Sequence, residues 1–104
     1  MSKVFGTVEL EQFNGVDNNP VYVAIRGVVY DVTSNREMYR LGKGYACFAG
    51  RDASRALAKS TLDANECRSD IGDLNAEEIA VLDKWVEFYA KKYPVVGRVD
   101  ILEQ

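Results

Sequence analysis

Two stretches of the chain carry strong hydrophobic patterns, and the remaining elements are read around them. Val21 to Ile25 and Val28 to Val32 are β-branched and aromatic runs separated only by Arg26-Gly27. Such a pair predicts a tight antiparallel hairpin. Further on, Ile79, Leu82, Trp85, Val86 and Tyr89 fall at offsets 0, 3, 6, 7 and 10. That spacing is one stripe of a 3.6-residue helix. Asn75 with Glu78 resembles a capping box at its start, with Asn in place of Ser or Thr. Pro94 stops the helix, and Val95 to Ile101 read as a final strand.

The weaker patterns fill in the rest. Val4-Phe5 reads as a short edge strand, and Thr7 as the cap of a helical turn from Val8 to Phe13 that Asn14-Gly15 ends. Asp17 to Pro20 is turn chemistry. Thr33, Ser34 and Asn35 break the second hairpin strand and offer a cap for a short helical turn through Met38 and Tyr39. Leu41 to Gly44 is a glycine-flanked loop, Tyr45 to Ala49 one helical turn, and Asp52 an N-cap for a helix from Ala53 to about Ser60. Ala53, Ala56 and Ala58 make that helix narrow, which predicts close approach to another helix or to a planar ligand. Leu62 to Gly72 is polar and reads as a surface loop. Strands and helices in this order predict an α+β domain with a small mixed sheet, not an alternating parallel-sheet fold.

With 104 residues, the chain is expected to form one domain spanning 1–104. Apolar content of 47% and charged content of 28% belong to a folded protein. The net charge of −3, with no basic stripe, argues against a nucleic-acid partner. No apolar run exceeds five residues, against roughly 20 for a bilayer span, and the first twenty residues carry no signal-peptide pattern. The two cysteines, Cys47 and Cys67, are not in a CxxC pair and read as reduced thiols. The expected location is the cytoplasm, or the endoplasmic reticulum surface reached through a partner.

The chain contains no histidine, which removes imidazole from every catalytic or metal-binding scheme. Phenols, carboxylates, amines and thiols remain. Tyr39 and Tyr45 lie six residues apart across the glycine loop. One reading makes them ordinary core aromatics. In the other, Tyr45 projects into a slot between the glycine loop and the alanine-rich segment. A phenol of pKa ~10 becomes a ligand only where a trivalent iron or nearby cations stabilise its anion, and Arg40, Lys43 and Lys92 are the candidate cations. In the run from Phe48 to Ser54, Gly50 supplies a turn and Asp52 a cap, with Arg51 and Arg55 on a solvated face. Lys92 complements a helix C-terminus and Tyr93 packs beside it. Cys47 is read as a small apolar filler with a thiolate haem ligand as the alternative, and Cys67 as a loop thiol without a base. No acid–base pair, phosphate loop or zinc spacing stands out, so a stand-alone enzyme is not expected.

Taken together, five segments resemble the membrane-associated progesterone receptor family, a branch of the cytochrome b5-like haem/steroid-binding fold. They are VYVAIRGVVYDVT (Val21 to Thr33), Met38-Tyr39, GYACFAGRDASRALA (Gly44 to Ala58), DLNAEEIAVLDKW (Asp73 to Trp85) and KYPVVGRV (Lys92 to Val99), about four-fifths of the chain. The resemblance implies a cleft for haem b whose ferric iron is held by a single tyrosinate, at the position of Tyr45. It also implies that Tyr39, Lys92 and Tyr93 surround the haem as hydrogen-bonding or charge partners. The implied role is a haem carrier, sensor or accessory protein for sterol metabolism and cytochrome P-450 type (haem-thiolate) monooxygenases. Binding of a steroid or other apolar molecule without haem, or a protein-interaction module, is the alternative. An open haem face suggests either a monomer or a haem-linked homodimer. Two departures stand out: the loop RLGKG lacks the family's proline, and the chain is expected to be a short soluble member without the membrane anchor of the namesake branch.

Overall fold

The computed structural model describes residues 3–40 and 43–99. Among these, four strands are present: β1 (Lys3–Phe5), β2 (Tyr22–Ile25), β3 (Val28–Asp31) and β4 (Val95–Val99). The helices are α1 (Thr7–Glu11), α2 (Ser54–Ala58) and α3 (Ala76–Lys92), with 3-10 turns at Val16–Asn18, Thr33–Met38, Ala46–Phe48 and Ala64–Glu66. The first half of the glycine loop (Leu41, Gly42) and the expected end of the last strand (Asp100, Ile101) lie outside the described residues.

The hairpin forms where the pattern put it. Ile25 pairs with Val28 across Arg26 and Gly27, whose φ angles of 51° and 81° suit a turn that follows the twist of the strands. The sheet order is β1-β4-β3-β2, with β1 parallel to β4 and the other pairings antiparallel, so the sheet is mixed and β1 is an edge strand. Alternation along β2 sends Val23 and Ile25 into one core and Ala24 into the other. Phe5, Leu10, Ala24, Val29 and Val99 make the smaller core. The larger one lies under α2 and α3 and contains Tyr30, Phe48, Leu57 and Leu82.

Segment 51–53 runs beside β2, with Ala53 N–H bonded to Ala24 O at 2.8 Å. Of the two expected occupants of the narrow face of α2, it is a helix, α3, that packs there. The capping box of α3 is complete: Asn75 Oδ1 accepts from Glu78 N at 2.8 Å, and Glu78 Oε1 accepts from Asn75 N at 3.0 Å.

Several local expectations need correction. Thr7 is the first residue of α1 and does not cap it; Gly6 precedes the helix and has no side chain to offer. The helix also stops at Glu11, short of Phe13. Thr33 does not cap the turn it begins, because its hydroxyl accepts from Val21 N at 3.0 Å and its amide donates to Asp31 Oδ1 at 2.9 Å. Helix α2 begins at Ser54 and ends at Ala58; Asp52 still accepts from Ser54 N at 2.9 Å, two residues ahead.

The largest correction concerns Arg55. Expected on a solvated face, it is 8% exposed. Its Nε reaches Glu66 Oε2 at 2.7 Å, and its terminal nitrogens clasp both Asp73 oxygens at 2.6 and 3.1 Å and Asp70 O at 3.1 Å. This bidentate grip fastens the polar 61–74 segment onto α2, and Cys67 is buried beneath it. Replacing Arg55 by Met keeps the aliphatic stem and removes every charged contact. Amide hydrogen exchange is expected to accelerate across 61–74 while the hairpin stays protected. Uniform acceleration would show instead that the segment is not a separately held unit.

Candidate functional site

Helix α3 places Val81, Trp85 and Tyr89 one above another at i, i+4 spacing, and Tyr93 continues the row past the helix end. Opposite this row stands the 33–48 region. Tyr45 is set there by two backbone bonds, its amide to Met38 O at 3.0 Å and its carbonyl accepting from Phe48 N at 3.0 Å. Between the two walls lies a cleft of about 710 Å³. Tyr39, Tyr45, Lys92 and Tyr93, all singled out in the sequence, line it together. Met38, Val81, Trp85 and Phe88 supply apolar wall, and Asn35, Lys84 and Tyr89 complete the lining.

The phenols are not equivalent. Tyr39 is buried, and its hydroxyl shares a 2.7 Å hydrogen bond with that of Tyr89, also buried. Burial, followed by the charges and hydrogen bonds of Tyr89 and Tyr93, raises Tyr39 far above the ordinary phenol range. Burial first, opposed by the Tyr39 hydrogen bond and reinforced by Tyr93 and Tyr45, raises Tyr89 to about 12. Both are therefore neutral hydroxyls near neutral pH. Tyr45 is half-buried, stacked on Phe48 (centroids 5.5 Å apart, 18° between planes) and tilted against Tyr39 (5.5 Å, 47°). Tyr93 accepts a hydrogen bond from Asn35 Nδ2 at 3.2 Å.

Charge at the cleft comes from α3. Lys92 is exposed, with its ammonium 5.2 Å from the Phe88 ring centroid and 5.6 Å from that of Tyr93. Such placement holds the cation by its attraction to the ring faces. The other two cations expected near the phenols are not there. Arg40 turns to Glu37, one turn back, at 2.9 Å, and neither it nor Lys43 lines the cleft. Lys84, off the apolar stripe of α3, lines it instead. Cys47 is also absent from this cleft and faces a separate recess.

The sequence assigned Trp85 and Tyr89 to the core stripe and Asn35 to a strand break and helical cap, and gave Val81 and Phe88 no role. Counting back in fours from Tyr93 would have found Tyr89, Trp85 and Val81 as one row.

Among the described residues, no group of three or more His, Cys, Asp or Glu is placed to hold a metal ion. The polar groups lining the cleft are four phenol hydroxyls, two ammonium groups, one side-chain amide and the Trp85 indole N–H, with the Met38 thioether beside them. A flat apolar macrocycle with a hard trivalent iron and two carboxylates fits this set. The rings and aliphatic side chains suit its faces, one phenol oxygen suits its metal, and the lysines suit its acids.

Residues 7–100 match the family described as "Cytochrome b5-like Heme/Steroid binding domain". The chain is 44% identical over 96 residues to "Probable steroid-binding protein 3" of Arabidopsis thaliana, covering 91% of this chain and 96% of the relative. It is 42% identical to human "Neuferricin" and 42% identical to "Cytochrome P450 regulator dap1" of Schizosaccharomyces pombe. Those matches cover 93% and 88% of this chain but only 37% and 59% of the relatives' lengths. A solved Arabidopsis thaliana protein described as having a cytochrome b5 like fold superposes with a TM-score of 0.86 at 42% identity, over 94% of this chain and 91% of its own.

Proposed function

Because the chain belongs to the cytochrome b5-like haem/steroid-binding family, in its membrane-associated progesterone receptor branch, we propose that it binds haem b in the α3 cleft with Tyr45 as the one protein ligand to iron. The observation that carries this reading is the meeting of Tyr39, Tyr45, Lys92 and Tyr93 on one cleft from segments far apart in sequence. When bound, such a group supplies a ferric centre, and an anionic oxygen ligand favours the ferric state and a low reduction potential. Everything else is done by the chain. Phe48 and Tyr39 fix the Tyr45 ring between them. The Tyr39–Tyr89 pair stays neutral and offers hydroxyls without adding charge. Lys84 and Lys92 would hold the acid groups of the ligand, and Trp85 and Phe88 would pack against its apolar part.

Such a protein holds or delivers haem. A low-potential, singly ligated site makes a poor copy of a bis-histidine electron carrier. Accessory work for a haem-thiolate monooxygenase is consistent with the name of the Schizosaccharomyces pombe relative, and steroid binding with that of the Arabidopsis relative. The second reading, an apolar small molecule without haem, is favoured by one observation: neutral hydroxyls above an aromatic wall suit a ring system with a polar end.

Ferric haem titrated into the protein is expected to give a saturable absorption change at one haem per chain. Absence of saturation would overturn the haem reading and leave the apolar-ligand one. Sedimentation of the loaded protein at high concentration separates a monomer from a haem-linked dimer.

A further inference from the structure

Two adjacent rows of side chains on α3 face the cleft, and they differ in kind. The inner row is Val81, Trp85 and Tyr89, continued by Tyr93; the outer row is Lys84, Phe88 and Lys92, at the same spacing of four. The inner row is buried or half-buried, whereas all three residues of the outer row are exposed. Phe88 keeps 45% of its surface in solvent between the two lysines, with the Lys92 ammonium 5.2 Å from its ring centroid. An apolar depth therefore opens through a mouth rimmed by cations.

The polar groups of the cleft lean heavily towards donors. The chain has 16 acidic residues against 13 basic ones, yet among the described residues two lysines and no Asp or Glu line the cleft. An ammonium group and an indole N–H donate and accept nothing. Asn35 Nδ2 spends a proton on the Tyr93 hydroxyl at 3.2 Å, and the Tyr39 and Tyr89 hydroxyls share a single bond of 2.7 Å. Two hydroxyls joined by one bond have used one of their two protons, so this wall keeps an O–H to give. A carboxylate accepts from every one of these groups. An amine, charged at neutral pH, meets two like charges and no carboxylate.

We propose that the cleft selects apolar carboxylic acids, with the apolar body lying on the inner row and the carboxylate at the mouth between Lys84 and Lys92. The selection rests on this cleft being the ligand site, as proposed above, and not on Tyr45 or on any metal.

Trp85 is the chain's single tryptophan and lines the cleft, so its fluorescence reports occupancy there. Three probes share one apolar body: 1-pyrenebutyric acid, its methyl ester and 1-pyrenebutylamine. Each is titrated into the ligand-free protein at neutral pH while energy transfer from Trp85 to pyrene is followed. The acid is expected to bind about tenfold tighter than the ester, the worth of a hydrogen bond to a charged group, and the amine more weakly than the ester. Replacing both lysines, Lys84→Met and Lys92→Met, keeps the aliphatic stems; it should bring the acid down to the ester's affinity and leave the ester unchanged, with circular dichroism confirming the fold. No saturable transfer with the acid, equal affinities of acid and ester, tighter binding of the amine, or an acid preference that survives the double variant would overturn the proposal. Ferric haem titrated in parallel keeps the two readings apart. Haem saturation without an acid preference refutes only the acid selection, and an acid preference without haem saturation refutes only the haem reading.

Discussion

Tyr45→Phe is expected to fold normally and to lose the ferric haem spectrum. The substitution removes one oxygen and keeps the ring that stacks on Phe48 and meets Tyr39, so the wall of the cleft keeps its shape. The loss should be at least ~100-fold in affinity, because removing an outer partner of a metal ligand alone typically costs ~10–100-fold. Neither neighbouring phenol can replace the missing oxygen cheaply. Tyr39 and Tyr89 are buried, bonded to each other and shifted strongly against ionisation. Parallel absorption titrations of wild type and variant, with circular dichroism to confirm folding, read the result directly. Unchanged binding in the variant would move the iron ligand elsewhere and sink the assignment of Tyr45.

Gly97→Ala should be the most damaging small substitution for stability. A Cβ at Gly97 would lie 2.1 Å from the Lys3 carbonyl oxygen and 2.9 Å from Phe5 Cε2. The closer obstacle is backbone, in the strand paired directly to this residue. It cannot rotate away, so β1 must shift from β4 and take Phe5 out of the smaller core. The cost is set at about 3 kcal/mol, the upper end of ordinary overpacking. For a domain of this size each kcal/mol is worth ~4–8 °C in the thermal midpoint, so a fall of roughly 12–24 °C is expected. Gly44→Ala is the control: a Cβ there meets nothing within 4 Å, and its midpoint should not move. Equal midpoints for the two variants would show that β1 contributes little to holding the fold together.

The sequence made some of this legible, and the boundary has physical causes. The hairpin and α3 could be read because their periodicities are local, and the capping box because its partners are three residues apart. Arg55 could not. Its acidic partners lie 11 and 18 residues downstream in a segment that looks like solvated loop, and only the folded chain shows them converging. Thr33 failed as a cap for the same reason, since a strand amide twelve residues upstream claims its hydroxyl. At the cleft, the family resemblance brought out Tyr39, Tyr45, Lys92 and Tyr93, while their mutual placement is a result of the fold. Tyr89 escaped notice because a stripe residue of a helix is read as core. It is core, buried to 1% exposure, and cleft lining at once. Lys84 lies off the apolar stripe, yet the cleft takes in the stripe residues Trp85 and Tyr89 and Lys84 beside them.

The parallel pairing of β1 with β4 joins Lys3 to Gly97, a separation close to the length of the chain. Closing so long a loop costs conformational entropy that only late contacts repay. The hairpin and α3, whose internal contacts are short in sequence, can form first, and the cleft is lined from α3, Tyr93 and the segments bearing Tyr39 and Tyr45, with nothing from β1. The edge of the sheet then zips last during refolding and opens first under strain. Ligand-competent protein should thus exist, on the folding timescale, before the smaller core is sealed.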